Sequence, residues 1–125
     1  MKEDSILKTI KKMVGLDAAY DAFDEDIIIH INYVMLILNQ LGVGTDEVFS
    51  ISGYDETWDE FLGDDPDLES VKSYIANKVR LVFDPPTSGG AMEALKSVID
   101  ESEWRLNVQV DPKGNSEDEE DEYIL

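Results

Sequence analysis

The chain has 125 residues, the size of one compact domain, and carries 10 Lys and Arg against 29 Asp and Glu, a formal net charge of -19. It has no cysteine and a single histidine, His30, which excludes a disulfide scaffold, a thiolate metal site, a cysteine nucleophile and any paired-histidine metal motif. So acidic a chain argues against ordinary binding to a phosphate backbone, while a 42% hydrophobic share is enough for a small core.

Residues 5–16 read as a short amphipathic helix with Ile6, Ile10, Met13 and Val14 on one face, Leu7 beside them and Gly15 as an end signal. Lys8, Lys11 and Lys12 point elsewhere and form the basic patch of note. The N-terminal segment mixes acids with internal lysines and does not read as a signal peptide, so a soluble chain without an export signal is expected. Residues 24–41 read as the central helix, with Asp24 as the expected N-cap and Gly42 and Gly44 as the stop. Eleven of the fifteen residues from Ile27 to Leu41 are apolar and cover nearly the whole circumference, so this helix is expected to be buried by others. The run is too short and too polar to span a bilayer.

A polar connection follows, with a short helix at 56–62 placing Trp58, Phe61 and Leu62 on one face and ending at Gly63. Phe49 to Ile51 is the one stretch with a strand-like character. Asp65 and Pro66 are expected to cap and open the next helix. Its stripe is Leu68, Val71, Ile75, Val79 and Val82, and Asp84-Pro85-Pro86 ends it. The last helix, 88–109, carries Ala91, Leu95, Val98, Ser102 and Leu106 on one face, with Met92 and Ile99 beside them. Trp104 lies about 180° from Leu95, with Val108 one turn on, which makes a second apolar surface. Residues 111–125 hold seven acids and one lysine, and such a self-repelling run is expected to be a flexible acidic tail. The expected architecture is an all-α bundle of four main helices plus one short helix over residues 1–110, followed by the tail at 111–125.

Chemistry-bearing motifs are sparse. Ser88-Gly89-Gly90 lacks the lysine of a phosphate loop and reads as a loop that starts a helix. Asp64, Asp65, Asp67 and Glu69 lack the glycine and the terminal glutamate of a calcium loop and read as helix-capping acids. The pairs Glu25/Asp26, Asp59/Glu60 and Glu101/Glu103 are what chance supplies among 29 acids. His30 reads as a half-buried histidine. No enzyme, cofactor or metal is expected. Interface candidates are Trp104 and Val108, which lie off the core stripe, Trp104 alternatively folding back over a neighbouring helix; Lys8, Lys11 and Lys12, a basic patch suited to an acidic neighbour or simply a solvated face; and Tyr123, Ile124 and Leu125, an apolar end to a tail that otherwise reads as a solvated terminus. Two classes of function fit: a structural subunit of an assembly, or an acidic DNA mimic that blocks a nucleic-acid-binding enzyme.

The segments DEDIIIHINYVMLILNQLGVG at 24–44, TWDEFLGDD at 57–65, VKSYIANKVRLVFDPPTSG at 71–89 and ESEWRLNVQ at 101–109, in this order, resemble the phage head–tail connector (head-completion adaptor) family. None of them is a catalytic signature, and the acidic tail lies outside the pattern. The resemblance implies a small α-helical virion protein at the head–tail interface, present in the host cytoplasm during assembly. It implies a ring of identical subunits, typically dodecameric, beneath the portal protein, which extends the DNA channel and offers a platform to the next head-completion (stopper) protein or the tail. DNA would pass through without specific binding, past carboxylates that repel its phosphates, and no membrane is involved.

Overall fold

A computed structural model of the chain describes the backbone of residues 4–115 and the side chains of residues 4–108. The fold is all-α: α1 (Ile6–Met13), α2 (Asp24–Gln40), the short α3 (Trp58–Leu62), α4 (Leu68–Phe83) and α5 (Gly89–Asn115). No strand occurs among the described residues; a single antiparallel bridge joins Ser5 to Thr57. That bridge ties the start of α1 to the start of α3, through Ile6 N–H to the Glu56 carbonyl at 3.0 Å and Trp58 N–H to the Asp4 carbonyl at 3.1 Å.

Most helix ends are local chemistry. Ser5 caps α1, its Oγ accepting from Lys8 N–H at 3.2 Å. Thr57 and Glu60 form a reciprocal capping box on α3, which therefore starts two residues later than the predicted 56. Ser88 caps α5, accepting from Ala91 N–H at 3.1 Å. At the end of α2, Val43 N–H reaches back to the Leu38 carbonyl and Gly42 N–H to that of Asn39. This six-to-one closure needs a left-handed residue, and Gly42 supplies it at φ +88°. The same pair of bonds closes α1 from Leu16 and Gly15.

Two predicted caps are displaced. Phe23, not Asp24, holds the cap position of α2 and makes no side-chain cap bond. The Asp24 carboxylate turns instead to a buried ammonium, a stronger demand than a terminal N–H that water can satisfy. Asp65 and Pro66 lie in a turn ahead of α4, with Asp67 at its cap. Asp65 Oδ1 accepts from Asp67 N–H at 2.8 Å, the turn that aspartate makes on its own backbone. The last helix is longer than predicted and reaches Asn115. Pro112 removes only one bond of the ladder, at a helix end where the freed carbonyl can be hydrated.

Packing also departs from the single-stripe reading. The hub is α4, not α2: it touches α1, α2 and α5. It accordingly buries Val71, Tyr74, Ile75, Ala76 and Val79, an arc wider than one stripe, and leaves the predicted core residue Val82 exposed. On α5 the buried residues are Leu95, Ile99 and Leu106, while Ala91 and Val98 face out. Met13 on α1 is exposed as well. Trp58 is fully packed, its indole N–H donating to Thr9 Oγ1 at 3.0 Å. The strand-like Phe49–Ile51 has no strand to pair with. The Asn32 side chain serves as one: its amide donates to the Ile51 carbonyl at 3.0 Å and its oxygen accepts from Ile51 N–H at 2.8 Å.

Gly44 sits at φ +93° beneath the Phe61 ring, where a Cβ would collide with the ring's side-chain atoms. Gly44→Ala is therefore expected to destabilise the fold by about 2–4 kcal/mol, the sum of a left-handed backbone penalty and overpacking. Urea denaturation checks this; a change within error would mean that Phe61 has room to move.

Tyr74 clamps α4 to α5, donating to Glu103 Oε2 at 2.6 Å, with Lys78 Nζ 3.9 Å from the same oxygen. Burial first, and then the bond to the Glu103 carboxylate and its charge, hold the Tyr74 phenol far above its ordinary 10.0. A raised folded pKa contributes stability that is complete below the unfolded value and is lost as pH rises above it. Denaturation midpoints are thus expected to fall as pH climbs past about 10, and to fall less steeply in Tyr74→Phe, which itself costs roughly 1–2 kcal/mol at neutral pH. Parallel profiles for the two chains would refute the assignment.

Candidate assembly surfaces

The helical geometry of α2 divides its apolar circumference into three sectors. Ile27, Ile31, Val34, Met35 and Leu38 face the core. Asn32 and Asn39 face the 45–51 loop, Asn39 Nδ2 donating to the Asp46 carbonyl at 3.1 Å. Among the described residues nothing covers the third sector, Ile29, Tyr33 and Leu36: Ile29 is 63% and Tyr33 59% exposed. The expectation that this helix is buried on all sides is corrected here. A five-helix domain of this size supplies neighbours for only part of α2.

Val82, left out of the core on α4, joins this open sector. Between α2 and α4 lies a groove of about 370 Å³ lined by Ile29, His30, Tyr33, Val34, Lys78, Leu81 and Val82. Its walls are almost wholly apolar. His30 is half-buried at its edge and packs edge-on against Phe83, with ring centroids 5.3 Å apart. Phe23 continues the aromatic contact, 6.1 Å from Phe83, and Tyr20 lies 5.9 Å beyond Phe23. Contiguous exposed apolar surface of this kind marks a contact site.

Trp104 is 66% exposed and Val108 is exposed beside it on α5, so the structure places both on the surface. Below them Arg105 forms an ion pair with Glu101 at 2.7 Å. An exposed tryptophan framed by charged residues has the composition of an interface anchor.

The three lysines of α1 part company. Lys11 has 0% exposure and is not part of a surface patch. Its ammonium donates to the carbonyls of Ala18 at 3.1 Å and Tyr20 at 2.6 Å and to the Tyr54 hydroxyl at 2.6 Å. Asp24 Oδ1 lies 2.7 Å from it, and this ion pair is the partner of that buried oxygen. The Tyr54 hydroxyl in turn donates to Asp24 Oδ2 at 2.8 Å. Burial alone would lower the Lys11 pKa, but the contacts with Asp24 and Tyr54 outweigh it and raise it above the ordinary 10.5. Lys11 is thus the pin that holds the 17–23 loop, the start of α2 and the 45–57 connection against α1.

Lys12 is exposed and Lys8 half-buried, and α4 adds a member that the sequence reading missed. Lys72, with Glu69, shares a groove with Lys8, Lys12 and Met13. Lys72 is four positions from Ala76 on an otherwise mixed face, and nothing in its local sequence signals this partnership.

Among the described residues, no three His, Asp or Glu side chains gather as a metal site, and no helix is long and apolar enough to cross a membrane. Tyr123, Ile124 and Leu125 lie outside the described residues. A family model described as a phage connector protein matches residues 6–113. No curated protein and no solved structure matches the chain.

Proposed function

The chain belongs to the phage connector protein family, with a structural role at the head–tail connection, and from this premise we propose that it is an adaptor subunit that closes into a ring beneath the portal. The observation that carries the finer reading is the open face of α2 and α4. An isolated domain gains nothing by leaving Ile29, Tyr33 and Val82 in water, whereas a subunit of a ring needs two different surfaces that meet head to tail. The α2–α4 groove is one such surface, and the Trp104–Val108 strip on α5 supplies a second. The excess of carboxylates suits a wall past which DNA slides without sticking. The next head-completion protein or the tail docks on the far side of the ring, and the mature protein resides in the virion.

The test is recovery of a tagged chain from phage-producing cells after cross-linking. Cross-links to the portal protein and to a second copy of the chain, through α2, α4 or α5, are expected. Capture of a nuclease or polymerase without portal protein would overturn the reading in favour of a DNA mimic.

A further inference from the structure

The groove between α1 and α4, about 530 Å³, brings Lys8, Lys12 and Lys72 together beside the exposed Met13. In a chain of net charge -19, three ammonium groups from two helices meet here. Glu69, 3.5 Å from Lys72, offsets one of them. Lys8 keeps a further polar contact of its own, so what counts is the local charge and not a vacant ammonium.

Glu69 also borders the neighbouring cleft, which it lines with Arg105 and Leu106 of α5. Arg105 and Leu106 of α5 therefore lie one cleft away from the basic groove, with Glu69 between them. The chain continues from Asn115 into Glu117-Asp118-Glu119-Glu120-Asp121-Glu122. A helix from Leu106 to Asn115 covers roughly 14 Å, and the seven residues from Ser116 to Glu122 can span up to ~23 Å when extended. The distal end of the acidic run, Glu120 to Glu122, is thus long enough to reach back past Leu106 towards Glu69 and the basic groove.

We propose that this basic groove is the docking site for the chain's own acidic segment, Glu117 to Glu122, bound within the same molecule. Its distal carboxylates, Glu120, Asp121 and Glu122, come within reach of the place where lysines of α1 and α4 converge, and tethering gives them an effective concentration that a separate partner must exceed. This inference concerns the free chain and stands or falls independently of the ring.

The absence of cysteine allows one to be placed at will. A nitroxide on Tyr123→Cys in the full, isotope-labelled chain removes no acid from the run. At about 0.02 M salt the amide signals of residues 8–13 and 69–73 are expected to lose more than half their intensity, and to regain it at about 0.5 M. Lys12→Gln with Lys72→Gln is expected to abolish the effect, with circular dichroism showing the fold retained. The salt comparison uses unaltered lysines and does not depend on that variant. Broadening that is uniform, salt-independent or centred on Ile29 and Tyr33 would overturn the proposal. So would equal broadening when the nitroxide sits on a separate, unlabelled copy, which would place the segment on a neighbour.

Discussion

Lys11→Ala is expected to cost about 3–5 kcal/mol of folding stability, a large part of the roughly 5–15 kcal/mol that holds a domain together. Lys12→Ala, one position along the same helix, is expected to stay within about 0.5 kcal/mol. The contrast follows from what each ammonium touches. Lys12 is at the surface. Removing the Lys11 head leaves the carbonyls of Ala18 and Tyr20 without their donor and the Asp24 carboxylate without its counter-charge. An uncompensated buried charge costs more than the intact pair contributes, because desolvation is no longer offset by attraction. For that reason the double variant Lys11→Ala with Asp24→Ala is expected to be less destabilised than the two single effects combined. Guanidinium denaturation of the four chains gives the coupling directly. Equal losses for Lys11→Ala and Lys12→Ala would show that water reaches the Lys11 pocket.

Tyr33→Asp is expected to leave the isolated fold nearly unchanged and to weaken assembly by about two to three orders of magnitude. Tyr33 is 59% exposed, so a carboxylate there remains hydrated in the free chain. In an interface formed over the α2–α4 groove the same carboxylate would be stripped of water opposite apolar surface, at several kcal/mol, and each 1.4 kcal/mol or so is a factor of ten in affinity. Trp104→Ala provides the companion measurement on α5. A change in stability within about 0.5 kcal/mol is expected, together with a loss of at least about 2 kcal/mol in association if the indole is an anchor. Thermal melts of the isolated chains, and co-purification of each variant with portal-bearing particles, separate the two effects. Unimpaired assembly of Tyr33→Asp would show that the open α2 face is not a contact. Loss of assembly with an equal loss of fold stability would show that Tyr33 serves the core instead.

The ends of the helices were legible because their causes are local. Gly42 closes α2, and a proline run stops α4, through bonds and clashes spanning a few residues. The exceptions, Asp24 and Asp65, were drawn away by competing acceptors and donors. For Asp24 the competitor is Lys11, thirteen positions distant, and for Asp65 it is its own backbone. Trp104 was legible as lying off the core stripe, because nine helical positions from Leu95 amount to half a rotation, but not whether it folds back over a neighbouring helix or stands exposed, as it does. The basic groove was only half legible. Lys8 and Lys12 are neighbours in sequence, but Lys72 meets them through the packing of α4 on α1.

Composition, periodicity and capping therefore determine that this is an acidic all-α chain, where its helices run, and which residues can be apolar contacts. They do not determine which of those contacts are made. Periodicity defines faces of a helix, but whether a face is covered depends on how many neighbours arrive and from which side. The Ile29, Tyr33 and Leu36 sector of α2 looks no different in sequence from the sector that is buried. Likewise, the α1 spacing puts Lys11 at the edge of the apolar face, four positions from Leu7 and three from Val14, and Lys12 opposite it, but does not say what the Lys11 ammonium meets. Only the tertiary structure brings Ala18, Tyr20, Asp24 and Tyr54 around one ammonium, and those distant oxygens decide that one lysine is a structural pin while the other stays at the surface.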